Sequence, residues 1–281
     1  NQIYIYYQYV LSYIGLTIVR ILNFYQYTIY SSLFLYKKYL IIIYIMESWW
    51  QEKFEEDGQF LKRFKTWEGK TEYKKNLYNE LINLNCKSIL NCGCGTGKDL
   101  ITFKDLFEKN NIKVIGIEYS DFMVKEAKKH GLLVLKGNIK NISFGDNSFD
   151  SSIAIDVFEH LNELSIALNE MIRISKKNVI IGFFKTPIGE NTTINVNIHH
   201  SQGDVRINKT LNKNQLYIKE NPGWRNGFTK GCFYNYHNKN LIEKELLNND
   251  KVENYNWYYR NSDNINKKCY LLINLRNILK N

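Results

Sequence analysis

The sequence predicts a doubly wound α/β domain, in which a mostly parallel sheet carries helices on both faces. Five short runs are continuously apolar, as strands are when both faces of a sheet are covered, and helix-like runs separate them. The first apolar run leads directly into the glycine-rich turn "NCGCGTG". Alternation of this kind is typical of doubly wound sheets, and a glycine turn after the first strand indicates a ligand site.

The predicted elements follow one another along the chain after an amphipathic helical stretch over 47–85. Strands are expected at 88–90, 113–118, 132–135, 152–155 and 178–184. Helices are expected at 97–109, 120–130 and 162–174, the second of them with a Ser/Asp cap. A further helix at 238–249 precedes two strands at 252–260 and 267–276, so that the expected sheet has seven strands.

Residues 1–45 differ in composition from everything after them. They hold 11 of the 21 tyrosines and 10 isoleucines, and they contain no Asp or Glu. One interpretation is translated upstream sequence of A/T-rich origin with no structural role. The alternative is a membrane-associated extension, although two glutamines and five tyrosines within 1–19 make a poor membrane span. The folded domain is therefore expected over 46–281.

Charge and cysteine usage favour a cytoplasmic protein that does not act on nucleic acid. The formal net charge is +10, but the basic residues are scattered and form no stripe. Cys92 and Cys94 lie inside the glycine turn, where small side chains are needed. The five cysteines have no accompanying Cys/His cluster, so reduced thiols are expected and a zinc site is not.

The glycine turn does not fit two common phosphate-binding patterns. A P-loop requires Gly-x-x-x-x-Gly-Lys-Ser/Thr, but here Lys98 is followed by Asp99. A dinucleotide fold requires Gly-x-Gly-x-x-Gly, whereas Gly93, Gly95 and Gly97 have the spacing Gly-x-Gly-x-Gly. A nicotinamide site is therefore disfavoured, although this spacing alone leaves it open.

Several motifs in order resemble those of class I S-adenosylmethionine-dependent methyltransferases, especially the broad type 11 group. "ILNCGCGTG" is similar to their first motif and "VIGIEYS" to the second. "VLKGNIKNISFGDNSFDSSIAIDVFEHL" is similar to the third and fourth motifs together. The resemblance covers about residues 86–185 well and 236–281 loosely. It implies a Rossmann-like fold, S-adenosyl-L-methionine as cofactor and methyl transfer as activity.

The resemblance also implies which residues contact the cofactor. Glu118 ends the second strand, 21 residues beyond Gly97, and is expected to accept both ribose hydroxyls. Asn91 stands where an acid usually contacts the methionine end, and Asn138 where an Asp usually receives the adenine amino group. Both amides lack the charge, which makes a degenerate cofactor site an open alternative. The predicted cofactor-binding residues are Asn91, Gly93, Cys94, Gly95, Gly97, Glu118, Tyr119, Asn138, Ile139 and Ile155.

The acceptor side is expected in residues 186–232, which break the alternation of strands and helices. This segment is rich in Asn and Gly, and long irregular segments in compact domains are usually functional. We expect it to form a wall or lid, because it leaves the carboxyl end of the fifth strand, where ligands of such folds bind. A hydroxyl acceptor would use a histidine as general base. The candidates are His199, His200 and His237, accompanied by Trp224, Tyr234 and Tyr236.

The segment "DVFEHL" after the fourth strand has two interpretations. Asp156, Glu159 and His160 resemble the metal-binding motif of small-RNA 2′-O-methyltransferases. The preferred interpretation is a helix start with a packing role, so no metal site is predicted. The predicted function is methyl transfer from S-adenosyl-L-methionine to oxygen or nitrogen of a small-molecule or glycan acceptor. The alternatives are a cofactor-binding but inactive scaffold and an NAD(P)-dependent oxidoreductase.

Overall fold

A computed structural model describes residues 71–198, 205–220, 234–259 and 268–276. The predicted extension over 1–45 and the first part of the predicted helical stretch lie outside these residues. No helix in the described part of the chain is long and apolar enough to cross a membrane. The strands are β1 Ser88–Cys92, β2 Lys113–Glu118, β3 Val134–Lys136, β4 Phe149–Ile155, β5 Ser175–Phe183, β6 Thr193–Ile198, β7 Val205–Thr210, β8 Tyr217–Glu220, β9 Tyr234–His237, β10 Val252–Tyr259 and β11 Cys269–Leu275.

Seven of these strands form one sheet with the order β10-β11-β5-β4-β1-β2-β3. The pairs β1–β2, β2–β3, β1–β4 and β4–β5 are parallel. Strand β11 runs antiparallel to both β5 and β10. The predicted seven-stranded, mostly parallel sheet is thus confirmed. Because the strand order reverses between β1 and β4, the carboxyl ends of these two strands form the crevice where ligands of doubly wound folds bind.

Helices cover both faces of the sheet, as predicted. The helices are α1 Thr71–Asn83, α2 Lys98–Thr102, α3 Lys104–Lys109, α4 Asp121–Lys129, α5 Leu164–Ile174 and α6 Lys239–Leu247, with a 3₁₀ turn at Phe158–His160. Side chains from α1 to α4 pack in one core with Ile180 of β5. Side chains of α5 and α6 pack in the other core with Val179 and Ile181. Alternate residues of one strand therefore serve opposite cores.

Two local features differ from the sequence prediction. The helix expected over 97–109 is divided into α2 and α3 at Phe103, whose backbone leaves the helical conformation and whose buried ring packs against Tyr78. The segment expected to be irregular contains strands, since β6 pairs with β7 and β8 pairs with β9. "TINVNI" and "VRINKT" alternate polar and apolar residues, as half-exposed hairpin strands do.

Candidate functional site

The glycine turn after β1 owes its shape to left-handed backbone at three positions. Gly93, Gly95 and Gly97 have φ values of 70°, 58° and 75°. A residue with a Cβ adopts this region only with strain, so the turn requires glycine. Gly93 and Cys94 donate their backbone N–H groups to the carbonyl oxygen of Ile117, at 2.8 and 3.1 Å. The turn is thereby attached to the end of β2.

Two of these glycines also lie close to side chains from other parts of the chain. A Cβ atom built on Gly93 would lie 2.6 Å from Cγ2 of Val157, which lies two residues after the end of β4. A Cβ atom on Gly97 would lie 2.2 Å from Cδ1 of Leu132. The turn backbone therefore packs against the segment after β4 on one side and against Leu132, before β3, on the other.

Glu118 links the end of β2 to the glycine turn. Its Oε2 accepts the N–H of Gly95 and its Oε1 accepts the N–H of Ser120, both at 2.9 Å. Glu118 is buried, and burial raises the pKa of its carboxyl group above the ordinary value. The backbone N–H groups and the charge of Lys136 act in the opposite direction. A buried hydrogen-bond acceptor is thus held at the crevice, between the glycine turn and the start of α4.

Side chains at the ends of β2 and β3 continue this wall. Lys136 Nζ lies 4.9 Å from the centre of the Tyr119 ring and 2.9 Å from Oδ2 of Asp121. Asn138 uses its Oδ1 to accept the N–H of Lys140 at 2.9 Å, which closes a local turn after β3. The amide expected at the adenine position is therefore already bonded to its own loop.

Asn91, the predicted contact to the methionine end, is tied to the first helix. It is buried in β1, and its Nδ2 donates to the hydroxyl oxygen of Tyr78 at 2.8 Å. Tyr78 is completely buried against the rings of Phe103 and Phe107, and burial raises its pKa well above the ordinary value. The phenol is thus neutral, and both members of this pair are uncharged.

The fold gathers the predicted cofactor residues along one edge of the sheet. The set lies at or just after the carboxyl ends of β1, β2, β3 and β4, which are parallel neighbours. Ile139 and Ile155 are both buried there, and Cys94 is half-buried in the turn. Their individual contacts with a cofactor stay predictions.

The turn after β4 holds two acidic side chains, Asp156 and Glu159, for which the sequence predicts only a packing role. Asp156 has a left-handed φ of 59°, and its Oδ2 accepts from Lys268 Nζ at 3.3 Å. Glu159 is completely buried, and its Oε1 accepts the N–H groups of Phe184 and Lys185 at 2.5 and 3.1 Å. Burial, with the nearby charge of Asp156, raises the pKa of Glu159 to about 8.

Strand β9 lies beneath this turn. His237 Nε2 donates to the carbonyl oxygen of Phe158 at 2.7 Å, since a carbonyl can only accept. His237 is buried, and burial lowers its pKa to about 4. Asn235 donates its Nδ2 to the carbonyl oxygen of Leu161 at 2.8 Å. The structure therefore gives His237 a positioning contact below the turn, while its predicted catalytic role stays a prediction.

Three buried side-chain oxygens in the described residues have no hydrogen-bond partner. Two belong to the turn after β4, and the third belongs to Asn235, which bonds that turn. They are Asp156 Oδ1, Glu159 Oε2 and Asn235 Oδ1. Each of these atoms accepts hydrogen bonds unless its acid is protonated. Within the same part of the chain, no three His, Cys, Asp or Glu side chains are grouped to hold a metal ion. His199, His200, Trp224 and the side chain of Tyr234 lie outside the described residues.

One third of the chain matches a known protein family. Residues 90–183 match the family described as "Methyltransferase domain". Sterol 24-C-methyltransferase erg6 of Aspergillus fumigatus is 27% identical over 34% of this chain and 27% of its own length. O-methyltransferase resE of Aspergillus sclerotiorum is 30% identical over 31% of this chain and 34% of its own. The chain thus spans only about a quarter to a third of these two curated relatives.

A solved structure supports the fold over a longer range. CalS10, an amino pentose methyltransferase from Micromonospora echinaspora solved with its bound donor, superposes with a TM-score of 0.51. The match covers 77% of this chain and 97% of CalS10 at 13% identity. At that identity the likeness concerns the fold alone, and it extends the shared architecture well beyond residues 90–183.

The packing of the glycine turn can be separated from its backbone conformation by two matched substitutions. Gly93 and Gly131 both have φ +70°, but a Cβ on Gly131 meets no atom within 4 Å. Gly131→Ala should therefore cost only the left-handed strain of about 1–2 kcal/mol. Gly93→Ala should cost about 2–4 kcal/mol, because Val157 must also move. Urea denaturation measures both values, and equal losses would contradict the close contact.

The buried Glu159 predicts a specific dependence of stability on pH. Its pKa of about 8 lies above the ordinary carboxyl value, so its contribution is fully present in acid and is lost as pH rises through 8. Glu159→Gln cannot ionise and should become more stable than the parent by about 1–3 kcal/mol towards pH 9. Melting temperatures from pH 5 to 9 test this.

Glu170 supplies the control for that experiment. Hydrogen bonds from Arg173 lower the pKa of Glu170, so its contribution is present at neutral pH and is lost as pH falls. Glu170→Gln should therefore destabilise the protein at pH 7 and approach the parent in acid. Parallel pH curves for the parent and Glu159→Gln would show that Glu159 is not held neutral.

Proposed function

We propose that this chain is a class I S-adenosylmethionine-dependent methyltransferase, and that it transfers a methyl group from S-adenosyl-L-methionine to oxygen or nitrogen of a small-molecule or glycan acceptor; the match of residues 90–183 to the family "Methyltransferase domain" supports this. One observation carries the proposal. The three left-handed glycines after β1 and the Glu118 carboxylate that bonds the N–H of Gly95 stand together at the crevice of a doubly wound sheet.

The residues present fit such a cofactor. Glu118 carries a buried carboxyl group that accepts backbone N–H groups, among them those of Gly95 and Ser120, and we assign its remaining lone-pair capacity to the ribose hydroxyls. Ile139 and Ile155 supply apolar surface for the adenine. The cofactor, when bound, supplies a methyl group already activated by its sulfonium. The protein has to orient the methyl acceptor and exclude water.

A second candidate is a chain that binds the cofactor without turning it over. Two neutral amides favour it, because Asn91 and Asn138 stand at positions where acids are usual. Asn91 bonds Tyr78, and Asn138 bonds Lys140 in its own loop. A methyl-transfer assay with labelled S-adenosylmethionine over hydroxyl and amine acceptors distinguishes the two functions. Binding without transfer to any acceptor would favour the scaffold.

Hydrogen-bond acceptors around the turn after β4 support a hydroxyl or amine as the methyl acceptor. Asp156 Oδ1, Glu159 Oε2 and Asn235 Oδ1 carry no partner within the described residues. O–H and N–H groups are the complement of the Asp156 and Asn235 oxygens, whereas Glu159, whose pKa burial raises to about 8, keeps its proton on this oxygen at neutral pH. Asp156 Oδ1 is itself buried, but the Asp156 side chain as a whole is 30% exposed, whereas Glu159 and Asn235 are completely buried, so we assign the Asp156 carboxyl group to contact the methyl acceptor.

The described part of the segment 186–232 supports its proposed role as the acceptor-side wall. Tyr217 of β8 donates its hydroxyl to Oδ1 of Asn162 at 3.1 Å, and His237 of β9 bonds the 3₁₀ turn. This hairpin therefore packs at the carboxyl edge of the sheet. We retain His199 and His200 as candidate general bases for a hydroxyl acceptor.

The cofactor assignment predicts a loss of affinity when Glu118 is removed. Glu118→Ala should weaken binding of S-adenosylmethionine by about 1.5–3 kcal/mol, the range for hydrogen bonds to a charged group. Glu126 is the matched control, since both glutamates are 8% exposed and Glu126 lies on α4. Calorimetry on folded protein measures both affinities. If Glu118→Ala and Glu126→Ala bind equally to the parent, the cofactor assignment is wrong.

The acceptor assignment predicts an effect on turnover alone. Asp156→Asn keeps the size of the side chain and tolerates the left-handed backbone. Methyl transfer should fall by about 10- to 100-fold, the equivalent of one hydrogen bond to a charged group, with unchanged cofactor affinity. Lys268→Met is the control, because it removes the ion pair and leaves the carboxylate. Full turnover by Asp156→Asn on an accepted substrate would refute the assignment.

A further inference from the structure

The ammonium group of Lys136 is held beside the crevice by an ion pair and by a contact with an aromatic ring. Lys136 ends β3 directly opposite Glu118, its register partner in β2. Its Nζ lies 2.9 Å from Oδ2 of Asp121 in α4 and 4.9 Å from the centre of the Tyr119 ring. A lysine side chain at the end of a strand can adopt many rotamers. The ion pair with Asp121 and the contact with the Tyr119 ring together select one of them.

The titratable groups near Glu118 include one positively charged side chain, that of Lys136. From the glycine turn, Glu118 meets the Cys94 thiol, whose pKa burial raises well above the ordinary value, so it stays neutral. From β3 it meets the Lys136 ammonium, which opposes the effect of burial on the carboxyl group. On α4, the Asp121 carboxylate is paired with Lys136. Lys136 is therefore the positive side chain that acts on Glu118 among the described residues.

The contact with Tyr119 adds a geometric consequence. The ammonium lies over one face of the phenol ring, so a planar ligand can stack only on the other face. The same side chain therefore acts on the hydrogen-bond acceptor and on the aromatic wall. These two groups flank the ends of β2 and β3, where the ribose and the base of a nucleoside would lie.

We propose that Lys136 is a positioning residue of this site: its ammonium maintains Glu118 as a charged acceptor and holds the Tyr119 ring, so that the site selects nucleosides with a free ribose diol. A charged carboxylate accepts two hydroxyl protons, whereas a protonated one donates one and binds a diol less well. This inference rests on the proposed function, because it assigns a role in binding the same cofactor.

The test compares Lys136→Met, which keeps length and loses charge, with Lys136→Arg, which keeps the charge. Calorimetry with S-adenosylhomocysteine from pH 5.5 to 8.5 is the readout. Without the ammonium the pKa of Glu118 rises further, so a protonated fraction appears at low pH. Lys136→Met should bind several-fold more weakly at the acid end of this range, with the gap narrowing towards its alkaline end. Lys136→Arg should restore the parent profile.

A second readout tests the selection directly. The preference for adenosine over 2′-deoxyadenosine should fall several-fold in Lys136→Met and be kept in Lys136→Arg. The exposed Lys104 provides a matched substitution, since its Nζ pairs only loosely with Glu108 at 3.7 Å. Lys104→Met should leave both readouts unchanged, which excludes an effect of net charge.

The outcomes separate this inference from the proposed function. Parent protein that binds neither S-adenosylmethionine nor S-adenosylhomocysteine would overturn both. Parent protein that binds, with Lys136→Met matching it in affinity, pH profile and nucleoside preference, would overturn the role of Lys136 alone. A loss in Lys136→Met that Lys136→Arg does not restore would also overturn it, because the charge would then not be responsible.

Discussion

The bond between Glu118 and the glycine turn is the constraint on which the crevice depends. Burying a carboxyl group is costly, and burial indeed raises its pKa. Backbone N–H groups, among them those of Gly95 and Ser120, offset that cost and find their acceptor in the same carboxyl group. Removing the side chain would therefore leave these donors without their partner. One carboxylate joins β1 to the start of α4 and still has lone pairs directed at neither of them.

The other side of the crevice depends on neutral groups. Burial raises the pKa of Glu159 to about 8 and lowers that of His237 to about 4, so both are mainly uncharged at pH 7. Glu159 fastens the turn after β4 to the end of β5, and His237 fastens the same turn to β9. The turn is thereby supported by hydrogen bonds that do not require ions. Asp156 of this turn forms an ion pair with Lys268 at 3.3 Å.

The sequence was sufficient to predict the sheet because buried parallel strands are continuous apolar runs, and each such run became a strand. It could not show the break at Phe103, because apolar spacing continues through it. The left-handed backbone of Asp156 could not be predicted either, because no glycine marks that position in the sequence. The contact of Asn235 with Leu161 joins residues 74 positions apart, so only the folded topology reveals it. Local order was thus predictable, whereas the support of the turn after β4 was not.

The distribution of charge within the predicted cofactor set leads to a last conclusion about recognition. Asn91 and Asn138 are neutral amides engaged by Tyr78 and Lys140, so neither end of the site offers a carboxylate. Glu118 is the acid of the set, and it lies between them at the end of β2. Charged hydrogen bonds are about twice as strong as neutral ones. In the proposed cofactor site, the acidic side chain of this set therefore lies at the middle, at the position that we assign to the ribose, and the two ends carry neutral amides. Affinity should accordingly depend far more on the ionisation of Glu118 than on either amide.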